Sequence, residues 1–364
     1  MLFLLIVGCS SFGSSPSGER LERIKKSPNY KDGMFINEMK TVKLTQSQWS
    51  LFFKFFFGGS DRREPENPPA IIKLGANDFA EGVEKGYRVT WLGHSTMLVE
   101  IAGKTILIDP VFSKRTSPFQ TMGPKRFHEV PIKIAELPKI DAVVISHDHY
   151  DHLDQLSIEE LESKTDMFVM PLGVGAHLEV WGIDKKKIKE YDWWQKLEVG
   201  EVTLVCTPAR HFSGRGVFDE NHTLWASWVI KSKDYSIYYS GDSGPMKTYT
   251  TIGEKYGPFD LTMIQLGAYG KFWPYIHMTP EEAMVAHKQL KGKILLPVHW
   301  GTFDLGLHAW DEPMLRTIEA AKNSRVPYLM PRPGQQLTLN KSSEIKLPEV
   351  PRFALESPAS KTGK

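Results

Sequence analysis

Short hydrophobic runs separated by glycine and proline characterise the chain from residue 87 onward. β-branched and aromatic side chains fill residues 88–92, 96–101, 105–108 and 142–145, and turn-forming residues lie between these runs. Runs of this length and composition, bounded by Gly and Pro, are typical of β-strands. The pattern predicts the opening of a mixed β-sheet, with helical segments among the strands that follow.

One helix is marked by the residues at its start. Thr279 can cap the first turn, Pro280 suits the first helical position, and Glu282 completes a capping box. These signals predict a helix that continues through residues 283–290. Strands combined with such helices are typical of a globular domain, which we place at residues 70–340.

The start of the chain has a different pattern. Residues 2–7 are apolar and are followed by Gly8 and Cys9, which resembles the end of a bacterial lipoprotein signal in which the cysteine carries the lipid. Residues 1–9 are therefore interpreted as a lipoprotein-like signal. This resemblance predicts a membrane-anchored lipoprotein of the bacterial cell envelope, facing the periplasm or the exterior.

Three further segments outside the domain differ from it in composition. Residues 10–34 are rich in Ser, Gly, Pro and charged residues, which predicts a flexible tether with no core of its own. Residues 35–69 combine a Pro-rich linker with six aromatic residues between Trp49 and Phe57. This aromatic run either packs on the domain or contacts acyl chains or a bilayer. Residues 341–364 are predicted to be a tail.

The composition narrows the range of functions. The 364 residues are 41% hydrophobic, and 45 Lys and Arg against 43 Asp and Glu leave a formal charge of +2. So small a charge supplies no broad basic field for a nucleic-acid backbone, and no nucleic-acid partner is expected. Cys9 and Cys206 lie in unrelated settings and predict no disulfide framework. Because no apolar run approaches the ~20 residues that span a bilayer, membrane contact is expected through lipid or at the surface.

The chemistry is concentrated in residues 146–154, directly after a predicted strand. The segment is Ser-His-Asp-His-Tyr-Asp-His-Leu-Asp. In an extended backbone alternate side chains project to one side, so His147 and His149 can converge on one ion. Asp151 and His152 can then face a second ion close by. Imidazole and carboxylate groups bind zinc and other first-row divalent metals, so the segment predicts two divalent metal ions, with zinc expected.

The string His-x-His-x-Asp-His resembles the signature of the metallo-β-lactamase superfamily. This resemblance implies an αββα sandwich of two mixed β-sheets flanked by helices. It also implies seven metal ligands. One ion would be bound by His147, His149 and His211, and the other by Asp151, His152 and His299, with Asp242 as the bridge between them. His94 and Asp109 match positions beside the metals, where they would orient ligands.

Longer stretches are similar to N-acylphosphatidylethanolamine-hydrolysing phospholipase D. They include Arg-Val-Thr-Trp-Leu-Gly-His at 88–94, Met-Gly-Pro-Lys-Arg-Phe at 122–127, Asp-Trp-Trp at 192–194 and His-Trp-Gly-Thr-Phe at 299–303. The similarity implies a zinc-dependent phosphodiesterase of the phospholipase D type. Such an enzyme hydrolyses N-acylphosphatidylethanolamine-like phospholipids to phosphatidic acid and N-acylethanolamine, with a hydroxide that bridges the metals as nucleophile.

The same similarity implies roles for individual residues near the metals. Asp151, Asp242 and His277 would be catalytic, and either Asp151 or His277 would protonate the leaving group. Tyr150, Tyr269 and His277 would contact the substrate.

Two other functions remain open from the residues. Relatives in the superfamily open lactones with the same ligands, so a metal-dependent lactonase or other small-ester hydrolase is the alternative enzyme. The alternative from another class is a surface lipoprotein that keeps the fold without catalysis. The aromatic run and the lipoprotein-like start favour a phospholipid substrate, with membrane contact through a lipidated Cys9 and through residues 49–57. The sequence leaves open whether the protein is an oligomer.

Overall fold

The computed structural model describes residues 10–46 and 58–343 of the chain. The predicted signal at residues 1–9, the aromatic run at 49–57 and the tail beyond residue 343 lie outside the described residues. In the described part, none of the helices combines the length and the apolar character that crossing a bilayer requires.

The described residues form two large sheets, a short hairpin and a set of helices. The strands are β1 (Tyr30–Lys31), β2 (Met34–Phe35), β3 (Tyr87–Gly93), β4 (Thr96–Ile101), β5 (Lys104–Ile108), β6 (Ala142–Val144), β7 (Phe168–Pro171), β8 (Ile188–Tyr191), β9 (Lys196–Val199), β10 (Val202–Thr207), β11 (Ser227–Lys231), β12 (Ser236–Tyr239), β13 (Leu261–Gln265), β14 (Leu295–Val298) and β15 (Gln336–Leu339). The α-helices wholly within the described residues are α1 (Gly18–Ile24), α2 (Gln155–Leu161), α3 (Gly175–Val180), α4 (Thr248–Tyr256), α5 (Pro280–Gln289) and α6 (Glu312–Ser324). Short 3-10 helices cover Ala76–Phe79, Ile134–Glu136, Glu162–Lys164 and Lys185–Lys187.

The two large sheets confirm the predicted mixed arrangement. One has seven strands in the order β15-β3-β4-β5-β6-β7-β8, and the other has six in the order β14-β13-β12-β11-β10-β9. In each sheet, antiparallel neighbours such as β3 and β4 or β10 and β11 coexist with parallel neighbours such as β5 and β6 or β12 and β13. The inner faces of the two sheets share one buried core, which includes Val99, Ile106, Ile230 and Leu296.

Helices cover the outer faces of both sheets, which confirms the αββα layering. A second buried cluster joins α2 and α3 to the seven-stranded sheet through Ile158, Leu178 and Phe168. On the other side, α5 contacts β13 and packs against α4 and α6. Because helices cover the outer faces, a central strand such as β4 is buried at every position, and its residues 97–99 are apolar in succession without alternation.

Helix α5 begins at the predicted capping box. The hydroxyl oxygen of Thr279 accepts a hydrogen bond from the backbone N–H of Glu282 at 3.3 Å, and the carboxylate of Glu282 accepts one from the backbone N–H of Thr279 at 2.9 Å. Two N–H groups of the first turn are thus satisfied by side chains. The prediction from three residues is confirmed at this helix.

The strand order places several loops at one edge of the sandwich. β5 and β6 run parallel, as do β12, β13 and β14, so their carboxyl ends meet at the same edge of each sheet. β10 is antiparallel to β11, which is antiparallel to β12, so β10 also ends at that edge. The segments that follow β5, β6, β10, β12 and β14 carry, in turn, Asp109, His147, His211, Asp242 and His299.

Residues 10–34 do not form the free tether that their composition predicts. They contain helix α1, in which Ile24 is fully buried in the core shared by the sheets. Nε of Arg20 donates to the carboxylate of Glu190 at 3.0 Å, which holds the helix to β8. Composition misses this docking because a few specific contacts, apolar and ionic, hold a segment that consists mostly of small and charged residues.

Candidate metal centre

The seven side chains predicted as metal ligands meet in one buried cluster at this edge of the sandwich. The cluster consists of groups whose ligand atoms lie within 4.8 Å of one another: His147, His149 and His211; His147, His152 and Asp242; His94, Asp151, His152 and His299; and His211, Asp242 and His277. The fold therefore brings the segment at 147–152 together with three residues from distant loops. His94, predicted to orient a ligand, also lies within the cluster.

Three imidazoles in the cluster face a common point. Nε2 of His147 lies 2.9 Å from Nδ1 of His149, and Nε2 of His211 lies 3.3 Å from the same atom. His147 and His149 follow β6 with one residue between them, which lets both rings project to one side of the chain. Three ring nitrogens in this arrangement can bind one divalent cation.

A second group combines carboxylates with two imidazoles. Nε2 of His299 lies 3.2 Å from Oδ2 of Asp151, and Nε2 of His152 lies 3.5 Å from the same oxygen. The carboxylate of Asp242 lies between the two groups, because its Oδ2 is 3.0 Å from Nε2 of His299 and 3.7 Å from Nε2 of His211. A carboxylate in this position can reach an ion in either group.

Unpartnered polar atoms at the centre of the cluster test whether its residues fit a metal. Nε2 of His152, Oδ1 of Asp242 and Nε2 of His299 are buried and have no hydrogen-bond partner among the described residues. The first two atoms are only 3.3 Å apart, yet their orientation makes no hydrogen bond. Buried polar atoms without partners are costly, whereas atoms that converge on a shared point are arranged as ligands. The imidazole and carboxylate donors therefore fit divalent metal ions.

Burial and neighbouring charges set the protonation of the ligands. Burial, assisted by adjacent imidazoles, holds the pKa of His147 well below its usual range, and burial does the same for His211. Neutral imidazoles have a lone pair for a cation. Burial also disfavours a charged His299, but the carboxylates of Asp242 and Asp151 outweigh it and raise the pKa of His299 to about 9. A proton on that ring competes with a cation, so metal binding is expected to release it.

Asp109 lies behind the second group and contacts one of its ligands. Its fully buried carboxylate accepts hydrogen bonds from Nδ1 of His152 at 2.7 Å and from the backbone N–H of Ser146 at 2.7 Å. The hydroxyl groups of Ser146 and Tyr239 donate to the same carboxylate. The contact with Nδ1 fixes a proton on that atom and directs Nε2 at the cluster, as an orienting residue should. Burial disfavours a charged His152, but the carboxylates of Asp242 and Asp151 outweigh it and raise its pKa well above the usual range, so metal binding is expected to displace the proton on Nε2.

His94 contacts two ligands from the turn between β3 and β4. Its Nε2 lies 2.9 Å from Oδ2 of Asp151, and its backbone carbonyl accepts from the N–H of His299 at 2.9 Å. Burial lowers the pKa of His94 to about 3, so the ring is neutral and its Nε2–H can donate to the carboxylate. His94 therefore positions Asp151 through its side chain and His299 through its backbone.

The N-terminal segment contributes a contact that no sequence motif marks. The side-chain amide of Asn37 donates to the carbonyl of His211 at 2.7 Å, and its oxygen accepts from the backbone N–H of His211 at 3.0 Å. The same oxygen accepts from Nε1 of Trp225 at 3.1 Å. This two-point contact fixes the backbone of the loop that carries His211.

Asp148 is a second residue that the sequence reasoning missed, although it lies inside the ligand segment. Its carboxylate accepts from the backbone N–H of Gly214 at 2.8 Å and from the hydroxyl of Thr223 at 2.7 Å, and it lies 3.2 Å from Nε2 of His177. A signal was available, because a residue between two ligands in extended backbone points to the opposite side. Asp148 thereby anchors the segment to the fold while its neighbours face the metals.

An open cavity of about 190 Å³ lies against the cluster. Part of its lining consists of the polar side chains His149, Asp151, His211, Asp242, His277 and His299. The apolar part is made by Leu44, Phe212, Trp273, Ile276 and Leu305, together with Ala268. A molecule with a polar group and an apolar portion suits such a lining.

Of the three predicted substrate contacts, the fold brings only His277 to this cavity. The hydroxyl of Tyr150 donates to the carbonyl of Arg215 at 2.8 Å, and its ring lies 4.0 Å from the guanidinium of that residue. The hydroxyl of Tyr269 donates to the carboxylate of Glu312 at 2.7 Å. Neither tyrosine is among the residues that line the cavity, so the lining gives no support to these two predicted substrate contacts, which stay predictions.

Comparison with known proteins bears on the same region. A family model described as a beta-lactamase superfamily domain matches residues 104–300. The uncharacterized protein Rv0906 of Mycobacterium tuberculosis is 45% identical over 324 residues, which cover 86% of this chain and 85% of that protein. N-acyl-phosphatidylethanolamine-hydrolyzing phospholipase D 1 of Caenorhabditis elegans is 35% identical over 259 residues, 68% of this chain and 72% of that protein.

A solved structure shows the same fold. It is that of Igni18, a metallo hydrolase from Ignicoccus hospitalis, which aligns with a TM-score of 0.55 over 70% of this chain and 99% of that chain. The sequence identity is 22%, so the match concerns the fold alone.

Proposed function

The chain belongs to the metallo-β-lactamase superfamily and is a metal-dependent hydrolase of that fold, and from this premise we propose that it is a phosphodiesterase of the phospholipase D type. The proposed substrates are N-acylphosphatidylethanolamine-like phospholipids, and the products are phosphatidic acid and N-acylethanolamine. One observation carries the proposal: two groups of ligand atoms, both within reach of Asp242, lie beside a cavity whose remaining wall is apolar.

The ligand groups suit two divalent ions, and zinc matches their donors best. His147, His149 and His211 would hold one ion; Asp151, His152 and His299 the other; and Asp242 would bridge them. When bound, the two ions supply charge that stabilises the phosphate oxygens and acidify the attacking water. Burial opposes ionisation of Asp151 and Asp242, but the surrounding histidines lower the pKa of both well below the usual range. Two carboxylates thus remain ionised to compensate the cations.

His277 offers the substrate a hydrogen-bond acceptor. The amide nitrogen of Gln265 donates to the carbonyl of Ser243 at 3.1 Å, which leaves its oxygen to accept from Nδ1 of His277, also at 3.1 Å. Burial lowers the pKa of His277 to about 4, so the ring is neutral with its proton on Nδ1. The Nε2 atom can then accept the amide N–H of an N-acylethanolamine group.

The apolar part of the cavity suits an acyl chain. Phe272, Trp273 and Ile276 form a small buried cluster, and Leu44 and Phe212 pack against it. The described residues on either side of the aromatic run lie close by, because Thr45 donates to the carbonyl of Phe272 and Ser60 to that of Leu307 through their backbone N–H groups. Contact of residues 49–57 with acyl chains or a bilayer stays a prediction, since they lie outside the described residues.

The test is product analysis with the zinc-loaded full chain. Vesicles containing N-palmitoylphosphatidylethanolamine are incubated with the protein in H₂¹⁸O, and both products are followed by mass spectrometry. We expect one solvent oxygen in phosphatidic acid and none in the N-acylethanolamine. Asp242→Asn should lower turnover by about 100-fold or more together with metal content, whereas Asp166→Asn, which alters an exposed carboxylate paired with Lys139, should change neither.

Two outcomes separate the alternatives. Turnover of lactones without turnover of any phosphodiester would replace the proposal with a lactonase or another small-ester hydrolase. Absence of bound metal from freshly purified protein, with no hydrolysis after metal loading, would indicate a surface protein that keeps the fold without catalysis.

We also propose that the protein acts at the bacterial cell envelope. This rests on the lipoprotein-like start, in which Cys9 would carry the lipid. Labelling of the expressed protein with a fatty-acid analogue, and loss of the label in Cys9→Ala, would test it directly.

A further inference from the structure

A second cavity lies apart from the metal cluster and shares none of the residues that line the first one. It encloses about 670 Å³ between the linker residues 68–73 and the loop 112–130. This loop contains the Met-Gly-Pro-Lys-Arg-Phe motif at 122–127, which has no role in the proposed hydrolysis at the metal cluster. Most of the cavity wall is apolar, with proline, isoleucine, valine and phenylalanine side chains.

A buried arginine lines this cavity. Arg126 is only 8% exposed, and its guanidinium donates to the backbone carbonyls of Val111 and Ser113. Its Nη1 has no hydrogen-bond partner among the described residues. Burial disfavours the charge of this guanidinium and the carboxylate of Asp154 offsets that only in part, so the pKa of Arg126 falls to about 10 and an anion placed in the cavity would stabilise the charge.

Two lysines add positive charge at the cavity. Lys114 and Lys125 are exposed and line the cavity, and neither ammonium group makes an ion pair within the described ranges. The lining carboxylate, Glu129, is paired with Lys73 at 3.1 Å. The cavity therefore keeps a positive charge that its own residues do not neutralise.

Apolar side chains also lie on the surface beside the loop. Met122 is 60% exposed, and Phe12 meets Phe119 edge to face with a distance of 6.1 Å between ring centres. Ser11 donates to the carbonyl of Pro118 at 2.7 Å, so the first described residues of the chain lie against this loop. Positive charge beside exposed apolar side chains is the combination that an anionic membrane surface attracts.

We propose that this basic cavity binds the anionic head group of a membrane phospholipid, that its apolar walls receive the first part of the acyl chains, and that Phe12, Phe119 and Met122 contact the bilayer. Free phosphate would use the cations and leave the apolar walls without a partner. The site does not depend on hydrolysis at the metal cluster.

Vesicle binding tests the charge at this site. The full chain carrying Cys9→Ala, which removes any attached lipid, is mixed with phosphatidylcholine vesicles with or without 30 mol% dioleoylphosphatidic acid. We expect strong binding only to the anionic vesicles, and a loss of about 30-fold in the partition coefficient for Lys114→Gln/Lys125→Gln, since each lysine near the surface contributes about fivefold. The control Lys186→Gln/Lys233→Gln removes two exposed lysines elsewhere and should bind as the parent does.

Equal losses in the test and control variants would overturn the proposal, because they would show dependence on net charge alone. Equal binding to vesicles with and without phosphatidic acid would also overturn it, because an anionic head group would then not be needed. Both readouts use a lipid that is a product of the proposed reaction, so inactivity of the metal cluster does not affect them.

A second measurement tests the apolar walls and Arg126. Binding of soluble dihexanoylphosphatidic acid and of inorganic phosphate is measured by calorimetry below the micellar concentration of the lipid. The lipid should bind at least about tenfold more tightly than phosphate. Arg126→Gln should abolish this binding while circular dichroism shows that the variant is folded, and Arg126→Lys should restore part of it. Equal affinities for lipid and phosphate would refute the site.

Discussion

Substitution of Asp109 by asparagine is the perturbation whose effect the structure defines best. The carboxylate is fully buried and accepts hydrogen bonds from His152, from Tyr239 and from both the backbone and the hydroxyl of Ser146. An amide has one oxygen and an NH₂ group in place of two acceptor oxygens. Whichever way it turns, the NH₂ group of Asp109→Asn faces donors, and at least one donor loses its partner.

The size of the effect follows from the charges involved. Hydrogen bonds to a charged group contribute about 1.5–3 kcal/mol each, and removal of one partner from a buried charged pair costs about 3–5 kcal/mol. We therefore expect Asp109→Asn to lower the free energy of unfolding of the metal-free protein by about 3–5 kcal/mol. Because His152 loses the contact that orients its ring, metal affinity should also fall by about 10- to 100-fold.

Two assays separate these effects, and a matched variant controls for the substitution itself. Urea unfolding of metal-free protein gives the change in stability, and titration against a competing chelator gives the affinity for zinc. In the same sheet, Asp141 accepts from Nζ of Lys104 at 2.7 Å and from the backbone N–H of Thr105 at 2.9 Å, far from the metal cluster. Asp141→Asn should lower the free energy of unfolding by about 1 kcal/mol and leave zinc affinity unchanged. If Asp109→Asn bound zinc as tightly as Asp141→Asn does, the orienting role of Asp109 would be refuted.

Two further substitutions test contacts around the cluster. Asn37→Ala removes both hydrogen bonds to the backbone of His211, so zinc content and turnover should each fall, turnover by about tenfold or more. The control is Asn29→Ala, which loses a 2.9 Å bond to the carboxylate of Asp192. Equal effects of the two substitutions would argue against a role of Asn37 in holding the loop of His211. Tyr150→Phe should retain turnover within about threefold and lose about 1 kcal/mol of stability, because its hydroxyl bonds the carbonyl of Arg215 outside the cavity. A large rise in KM for Tyr150→Phe at unchanged stability would restore the tyrosine as a substrate contact.

The sequence alone determined the features that depend on local spacing. The residues from His147 to His152 carry ligand types at intervals that let their side chains converge, and the capping box of α5 needs only Thr279, Pro280 and Glu282. Short apolar runs predicted the strands because burial on both faces removes polar positions. The resemblance to a superfamily then supplied the later ligands, and parallel strands explain why His211, Asp242 and His299 reach the same edge.

The tertiary structure decided everything that depends on contacts between distant segments. Asn37 has no motif, and its role exists only because the N-terminal segment packs against the loop of His211. Tyr150 stands inside the ligand segment, but a partner at Arg215 turns its hydroxyl away from the cavity. Residues 10–34 have the composition of a tether and are nevertheless held by Ile24 and Arg20. A local pattern specifies which side chains are present and on which side of the backbone they project. Their partners are set by packing between segments far apart in the chain.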